Sequence, residues 1–304
     1  MTATRSLTPT SERASRAMLS EITQVQLDQI RELIYKETGI LYETKKDYAM
    51  KARIERRMEA SGHRTFRRYY RSLLLEDPGG ELQNLIEELT VNETYFFRDF
   101  PQLQGFGERA LPLLLEEKKK VGDSTLKIWS AACSTGEEPY TLSIIAQEMI
   151  EDYERWDVSI LATDIDRQVL RIAKKGEYGR RSMKDTPLVY RKKYFSNQGT
   201  SWQVLPHTAE PVHFDLVNLI DRRAMRKQRG FDFIFCRNVL IYFNELSRKK
   251  VVNSFYDALN PGGFLFLGAS ESVGRITAAF QLTKLGDQVF YRKPQAGSLH
   301  SKRD

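Results

Sequence analysis

Residues that build metal centres and thiol active sites are scarce in this chain. Only two cysteines, Cys133 and Cys236, and four histidines occur among 304 residues. Each cysteine stands alone in an apolar segment and the histidines are scattered, so neither a disulfide framework nor a zinc-type ligand spacing can be assembled. We therefore expect two reduced thiols and no protein-bound catalytic metal.

Long apolar runs are also missing. No segment approaches the roughly 18 uninterrupted apolar residues of a membrane-spanning helix, and residues 1–20 lack the apolar stretch of a signal peptide. A hydrophobic content of 41% in 304 residues is ordinary for a soluble protein and provides at least one sizeable core. The sequence therefore predicts a cytoplasmic protein with room for two domains.

Neither sign of charge dominates. Lys and Arg number 47 and Asp and Glu number 40, which leaves a net charge of +7. This modest excess favours an anionic partner without identifying it. Because the basic residues are mostly interspersed with acids, they do not form the clustered surface that tracks phosphates, and an acidic protein surface explains the balance without nucleic acid.

The first third of the chain has helical periodicity. The spacing from Thr23 to Gln26 is that of a capping box, and the helix that it begins ends before Gly39. Further patterns of the same period follow, separated by breaks at residues 61–62 and 77–80. Residues 20–90 are therefore expected to form an all-α domain. Its four helices are predicted to begin at about residues 23, 44, 66 and 81.

Short β-rich runs alternate with helices from residue 126 onwards, which predicts an α/β fold with a parallel, doubly wound sheet. The gap of about 70 residues between the second and third runs is too long for one crossover connection. It includes possible strands at 201–205 and 211–214, so we expect a small inserted β-subdomain at about 178–214. The five runs are residues 126–130, 158–163, 231–236, 263–267 and 288–291.

These patterns divide the chain into a helical domain, a connecting segment and an α/β domain between two polar ends. We expect both ends to be disordered, because polar termini without periodicity have little to pack against. The predicted division is 1–19 for the first tail, 20–90 for the helical domain, 91–124 for the linker and connecting helix, 125–293 for the α/β domain and 294–304 for the second tail.

Glycine-rich phosphate-binding fingerprints are missing as well. Residues 130–140 follow the first β-rich run, and their small residues and single glycine allow a backbone to approach a ligand closely. They match neither GxGxxG nor a Walker motif, so a plain tight turn remains an alternative. Asp164 ends the second run, where a carboxylate can accept hydrogen bonds from ribose hydroxyls, whereas Asp166 can equally cap the next helix.

Polar groups at two further places can reach a ligand. Asn238 and Tyr242 follow the apolar run 231–236, at the sheet edge where open α/β folds bind ligands. Residues 92–99 combine Asn, Thr and Arg with Phe96 and Phe97. The alternative for this second segment is a core between domains, with Arg98 paired to Asp99.

A basic stripe is predicted on the second helix. Lys46, Arg53 and Arg57 share one face by the 3.6-residue period, and Arg56 lies on its flank. Such a face suits an acidic helical partner, although a merely solvated charged face is the alternative.

Four strings, taken together, resemble the CheR family over about residues 20–292: Asn-Glu-Thr-Tyr-Phe-Phe-Arg at 92–98, Ser-Thr-Gly-Glu-Glu-Pro-Tyr at 134–140, residues 162–166, and Cys-Arg-Asn-Val-Leu-Ile-Tyr-Phe at 236–243. The resemblance implies a chemotaxis-receptor glutamate methyltransferase. It also implies an all-α N-terminal domain and a Rossmann-like S-adenosylmethionine-dependent methyltransferase domain with an inserted small antiparallel β-subdomain. Members of this family form γ-glutamyl methyl esters and S-adenosylhomocysteine.

The same resemblance implies roles for individual residues. Arg98 and Tyr242 are the expected catalytic-site groups, which would orient the acceptor carboxylate or the reacting end of the cofactor. The basic stripe, Lys46, Arg53, Arg56 and Arg57, would bind the acidic helical cytoplasmic domain of a chemoreceptor, and the β-subdomain is a possible site for a receptor tail. The expected cofactor contacts are Asn92, Thr94, Arg98, Ala132, Glu138, Asp164, Asn218, Leu219, Asn238 and Val239.

Three other functions are alternatives to this one. A nicotinamide-dependent oxidoreductase would use the same sheet but lacks its glycine fingerprint here. A non-catalytic signalling scaffold is disfavoured by the intact candidate contacts at Arg98, Glu138, Asp164 and Asn238. A nucleic-acid methyltransferase is disfavoured because Asn238 is not followed by Pro-Pro-Tyr.

Overall fold

The computed structural model describes residues 22–75, 80–273, 277–286 and 288–295. Cα positions separate two compact units, Met1–Glu37 with Leu41–Thr90 and Thr38–Ile40 with Val91–Asp304. The tails predicted to be disordered lie outside the described residues, apart from residues 294 and 295. Within the described ranges, no helix has both the length and the apolarity needed to cross a bilayer.

The four helices predicted for the first unit are confirmed. The capping box also forms, because Thr23 N donates to Gln26 Oε1 at 3.0 Å and Gln26 N donates to Thr23 Oγ1 at 3.3 Å. The second helix begins slightly later than predicted, since Thr44–Lys46 make a 3-10 turn. The helices are α1 (Gln24–Thr38), α2 (Asp47–Ala60), α3 (Phe66–Leu75) and α4 (Glu81–Leu89).

The core of the first unit follows the apolar periodicity. Met50, Ile54 and Met58 form a buried stripe on α2, at the spacing of one helix face. Ile30 on α1 and Tyr69 on α3 are also completely buried. Burial of each such side chain contributes roughly 1.5–3 kcal/mol, so this packing, more than helix propensity, stabilises the unit.

The second unit alternates helices and strands. An irregular helix comes first, with α5 (Phe100–Gly105), a π turn (Phe106–Ala110) and α6 (Leu111–Lys120). The alternating part contains β1 (Thr125–Ala131), α7 (Glu137–Met149), β2 (Asp157–Asp164), α8 (Arg167–Lys175), β3 (Glu177–Gly179), α9 (Leu188–Tyr194), β4 (Phe195–Asn197), β5 (Ser201–Val204), α10 (Pro206–Ala209), β6 (Val212–Leu216), α11 (Arg222–Arg226), β7 (Phe231–Cys236), α12 (Glu245–Ala258), β8 (Leu259–Leu267), β9 (Gln281–Leu285) and β10 (Gln288–Arg292).

The strands form a seven-stranded sheet in the order β6-β2-β1-β7-β8-β10-β9. The first five of these are parallel to one another, and β10 is antiparallel to both β8 and β9. The carboxyl ends of β6, β2, β1 and β7 therefore meet at one edge. Aromatic side chains cover the sheet on both faces, with Phe106 packed edge-on against Phe233 and Trp129 against Phe255.

The inserted β-subdomain is confirmed as a small antiparallel sheet in the order β3-β5-β4. The prediction that residues 211–214 belong to this insertion is wrong, because β6 pairs in parallel with β2 through Ile160 and Val212. Two features of the far edge were also not predicted. The run at 288–291 is antiparallel, and β9 was missed because it is a mostly exposed edge strand with little apolar content.

Candidate active site

The loop after β1 has a strained backbone. Ala132 and Ser134 have φ values of 62° and 50°, and Gly136 has a φ of 93°. A Cβ at Gly136 would lie 2.8 Å from the Cβ of Ala173 and 2.9 Å from the hydroxyl of Tyr178, so only glycine fits. The left-handed conformation costs about 1–2 kcal/mol at each non-glycine residue, so surrounding contacts must hold the loop in place.

Asp164 supplies one of those contacts. Its Oδ2 accepts a hydrogen bond from Ser134 N at 2.8 Å, and its Oδ1 accepts one from Asp166 N at 3.0 Å. Burial raises the pKa of Asp164 to about 6, and the Asp166 carboxylate adds to this while the backbone N–H donors oppose it. A carboxylate has about four acceptor positions, so Asp164 can hold the loop and still bind ligand hydroxyls.

Asp166 caps α8. Its position in the sequence allowed either this role or a contact with a ligand. Its side chain accepts hydrogen bonds from Gln168 N at 2.7 Å and Val169 N at 3.2 Å. Asn92 Nδ2 donates to the other carboxylate oxygen of Asp166 at 2.8 Å, and Ser134 Oγ donates to the Asn92 carbonyl at 3.0 Å. The predicted contact residues Asn92 and Asp164 are therefore joined through Ser134 and Asp166.

Glu138 belongs to a second polar network. Ser130 Oγ donates to Glu138 Oε1 at 2.7 Å, and Arg237 Nη1 donates to Glu138 Oε2 at 3.2 Å. Burial raises the pKa of Glu138, and the charge of Arg237 opposes that shift. Arg237 lies within the Cys-Arg-Asn string, but sequence reasoning gives it no role, because its partners are far away along the chain.

Residues 92–99 anchor the site through their aromatic residues. Phe96 is completely buried, with its ring centroid 4.8 Å from that of Tyr178 and 4.9 Å from that of Phe195, and Phe97 is buried as well. These rings belong to the core of the second unit. The alternative for this segment required Arg98 to pair with Asp99. Arg98 instead donates a hydrogen bond to the Glu93 carbonyl at 2.8 Å.

A pocket of about 60 Å³ opens at the carboxyl ends of β1, β2, β6 and β7. Its lining is mostly apolar, and its polar residues are Thr38, Asn218 and Tyr242. Five predicted residues, Ala132, Asn218, Leu219, Val239 and Tyr242, line it. Sequence reasoning missed the other five, which are Thr38, Ile40, Ile165, Val217 and Phe243.

Ile40 reaches the pocket because Thr38–Ile40 belong to the second unit. Ile40 forms an isolated antiparallel bridge with Phe243. Gly39 has a φ of 71°, and a Cβ there would lie 2.8 Å from Ile220 Cγ2, so the tight turn requires glycine. Gly39, which ends the first predicted helix, therefore also allows the tight turn against Ile220, and helical periodicity does not indicate this role.

The loop after β7 is fixed by a carboxylate that the sequence did not single out. Asn238 has a φ of 61°, and its N–H donates to Glu271 Oε2 at 2.9 Å. Val239 N donates to Glu271 Oε1 at 2.9 Å. Burial raises the pKa of Tyr242, while the charge of Arg98 opposes the shift, so the phenol is neutral and can donate a hydrogen bond at neutral pH.

The remaining predicted residues divide between the two units. Thr94 is half-buried on the 92–99 segment. In the first unit, Arg57 makes two hydrogen bonds to Glu81, at 2.6 and 3.1 Å, and Arg53 donates to the Leu89 carbonyl at 3.0 Å. Arg56 is largely exposed in its ion pair with Glu88, and Lys46 is exposed in the 3-10 turn.

The donor set fits S-adenosylmethionine. The apolar walls and the Asn218 amide suit a purine ring, and the spare acceptor positions of Asp164 suit ribose hydroxyls. Glu138 adds a carboxylate at the same edge, of the charge that complements an ammonium group.

Comparison with known proteins agrees with this chemistry. Residues 92–289 match the family model described as "CheR methyltransferase, SAM binding domain", and residues 26–90 match "CheR methyltransferase, all-alpha domain". The chain is 39% identical to chemotaxis protein methyltransferase 2 of Vibrio cholerae, over 92% of this chain and 97% of that relative. It is 34% identical to chemotaxis protein methyltransferase 1 of Pseudomonas aeruginosa, over 86% and 95% of the two chains.

A third relative is the chemotaxis protein methyltransferase of Borreliella burgdorferi, which is 33% identical over 83% of this chain and 89% of its own. Since the family models cover both units and these relatives align over nearly their whole lengths, the chain is a member of the CheR methyltransferase family and uses S-adenosylmethionine as its cofactor.

Proposed function

We propose that the protein transfers methyl groups from S-adenosylmethionine to glutamate side chains of chemotaxis receptors, giving γ-glutamyl methyl esters and S-adenosylhomocysteine. The observation that carries the proposal is the position of Tyr242, which lines the pocket and is close enough to Arg98 for that charge to oppose its pKa rise. A phenol and a guanidinium are suitable groups to orient a carboxylate acceptor.

This chemistry needs no general base. A glutamate side chain has an ordinary pKa of about 4.3, so it is already ionised at neutral pH. S-adenosylmethionine supplies the methyl group on a sulfonium centre. Because opposite charges are neutralised during transfer, alignment and the exclusion of water are the contributions required of the protein. The apolar pocket residues Ile165, Val239 and Phe243 meet the second requirement.

The roles follow from the two networks. Arg98 and Tyr242 orient the acceptor carboxylate or the reacting end of the cofactor. Asp164 binds the ribose and Glu138 lies near the methionine portion, while the charge of Arg237 opposes the rise that burial causes in the pKa of Glu138. The remaining cofactor contacts are Asn92, Thr94, Ala132, Asn218, Leu219, Asn238 and Val239.

Receptor recognition is assigned to two surfaces. The exposed basic residues Lys46 and Arg56 contact the acidic helical cytoplasmic domain of the receptor, which places the reaction in the cytoplasm. Arg53 and Arg57 stabilise that surface, because Arg53 donates to the Leu89 carbonyl and Arg57 donates to Glu81, both within the first unit. The small sheet ends in β3 and β4, and either edge can take a receptor tail as an added strand.

The test is transfer of radiolabelled methyl from S-adenosylmethionine to receptor-containing membranes. We expect label on an acidic receptor that is released as volatile methanol by mild base, because a carboxyl ester is base-labile. Base-stable label, or label on nucleic acid, would refute the proposal. Calorimetry with S-adenosylhomocysteine and with NAD separates it from an oxidoreductase, since only the former should bind.

A further inference from the structure

The carboxylate of Glu271 is surrounded by backbone donors. Oε2 accepts hydrogen bonds from Gly268 N at 2.6 Å and Asn238 N at 2.9 Å, and Oε1 accepts from Val239 N at 2.9 Å and Ile241 N at 3.2 Å. Three of these donors belong to the loop between β7 and α12, and the fourth follows β8. Hydrogen bonds to an ionised acceptor are among the stronger ones in proteins, so this carboxylate is a firm tie between the two loops.

The surrounding backbone is shaped for a carboxylate. Asn238 adopts a φ of 61°, the left-handed conformation that lets successive N–H groups converge on an anion. A Cβ on Gly268 would lie 2.8 Å from Asn238 N and 2.8 Å from Glu271 Oε2. Only glycine leaves room for the carboxylate at that position.

The loop held in this way carries the pocket. Val239 and Tyr242 line the pocket, and both lie within four residues of Asn238. The charge of Glu271 also adds to the raised pKa of Tyr242, which indicates that the carboxylate and the phenol are near each other. A shift of the loop would therefore move the pocket wall and the phenol together.

We propose that Glu271 is a positioning residue for methyl transfer. Its carboxylate fixes the loop from Asn238 to Tyr242 in its strained conformation, and it acts on the acceptor through Tyr242 rather than by touching it. The inference rests on the proposed function for its effect on receptor methylation, but its effect on cofactor binding stands independently. The backbone site itself recognises carboxylates, so a small free carboxylate can replace a missing Glu271 side chain.

The experiment compares Glu271→Ala, Glu271→Gln and Gly268→Ala with Glu245→Ala, which removes an exposed acid at the start of α12. The measurements are affinity for S-adenosylhomocysteine by calorimetry, and kcat and KM for receptor methylation. In Glu271→Ala we expect kcat to fall by about 10- to 100-fold, with a smaller change in receptor KM. The control variant, Glu245→Ala, should leave both kcat and receptor KM unchanged.

Acetate provides the decisive readout. It should restore kcat and cofactor affinity in Glu271→Ala when compared with chloride at equal ionic strength. It should not restore Gly268→Ala, in which the added Cβ blocks the carboxylate site. Wild-type kcat and affinity in Glu271→Ala, or equal rescue by chloride, would overturn the inference.

Two further outcomes are separable. If Glu271→Ala fails to fold, Glu271→Gln replaces it in the experiment, because glutamine keeps the shape of the side chain. Wild-type kcat and wild-type affinity for S-adenosylhomocysteine in Glu271→Gln would also overturn the inference. If the wild-type protein binds S-adenosylhomocysteine but methylates no receptor, the proposed function fails, while acetate-dependent cofactor affinity in Glu271→Ala still supports the positioning role.

Discussion

Arg237 and Glu138 form an ion pair in which Nη1 lies 3.2 Å from Oε2, and only 3% of the arginine side chain is exposed. The same guanidinium donates to the Arg98 carbonyl at 2.6 Å and to Asp99 Oδ2 at 2.9 Å. Arg237 therefore ties the end of β7 to the start of α7 and to the segment that carries Arg98. Removing it would leave the Glu138 carboxylate without its ion-pair partner.

Arg237→Ala is expected to lower the free energy of unfolding by about 3–5 kcal/mol, because one partner of a buried ion pair is lost and the other stays buried. Urea denaturation followed by circular dichroism measures this change. The matched control is Arg229→Ala, at an exposed arginine shortly before β7. Equal stability of the two variants would contradict the structural importance of the pair.

Asp164→Asn tests the effect of pH on cofactor binding. The folded-state pKa of Asp164, about 6, lies above its ordinary value of 3.8, so this group stabilises the fold below pH 3.8 and that contribution is lost as pH rises through 6. Ribose hydroxyls prefer the ionised form as acceptor. Affinity for S-adenosylhomocysteine in the wild type should therefore increase as pH rises through about 6.

Calorimetry between about pH 5 and pH 8 measures this dependence. The Asn variant should bind more weakly at the upper end of that range and lose most of the step near pH 6. Any slope that remains is expected from Glu138, whose pKa burial also raises. A variant with the full wild-type pH dependence would rule out Asp164 as the titrating group.

Tyr242→Phe and Arg98→Ala should each lower kcat for receptor methylation, by about 10- to 100-fold, because the acceptor carboxylate loses an orienting donor. Steady-state kinetics with purified receptor membranes measures the effect. Tyr256→Phe, at a half-buried tyrosine on α12, is the control and should leave kcat unchanged. Wild-type rates in both test variants would remove these two residues from the proposed catalytic roles.

Lys46→Glu and Arg56→Glu should raise KM for the receptor and leave affinity for S-adenosylhomocysteine unchanged. Their ion-pairing cost within the protein is small, since Arg56 and Glu88 form a surface pair. The increase should shrink at high salt, because salt screens exposed charges. Arg68→Glu, at an exposed position of α3, is the control, and an equal rise in its KM would show that the effect is one of net charge alone.

Local signals account for what was predictable from the sequence. The capping box at Thr23 needs only residues three apart, and the buried stripe of α2 needs only helical spacing. Strand β7 is buried at all six positions and reads as an apolar run of the expected length. For the site, the string at 236–243 follows β7 and contains the pocket residues Val239 and Tyr242, whereas Ala132, Asn218 and Leu219 were expected from the family resemblance.

Features that depend on distant partners were not predictable. Glu138 and Arg237 are 99 residues apart, and Glu271 is 33 residues from Asn238. Nothing in the local pattern indicates that these side chains meet. The misplaced strand β6 has the same cause, since a short apolar run can pair with either sheet until the three-dimensional register is known.

The pairing of β6 with β2 has a consequence for how this enzyme can diversify. The residues of the small sheet lie between α8 and β6, and β6 is the neighbour of β2 in the main sheet. The whole insertion is therefore part of the connection between two neighbouring strands. Lengthening this connection costs little additional entropy, because the entropy of loop closure grows only logarithmically with loop length. Residues 176–211 can therefore change in length, provided that Tyr178 and Phe195 keep their contact with Phe96. The methyl-donor pocket can stay constant while the surface of the inserted subdomain diverges.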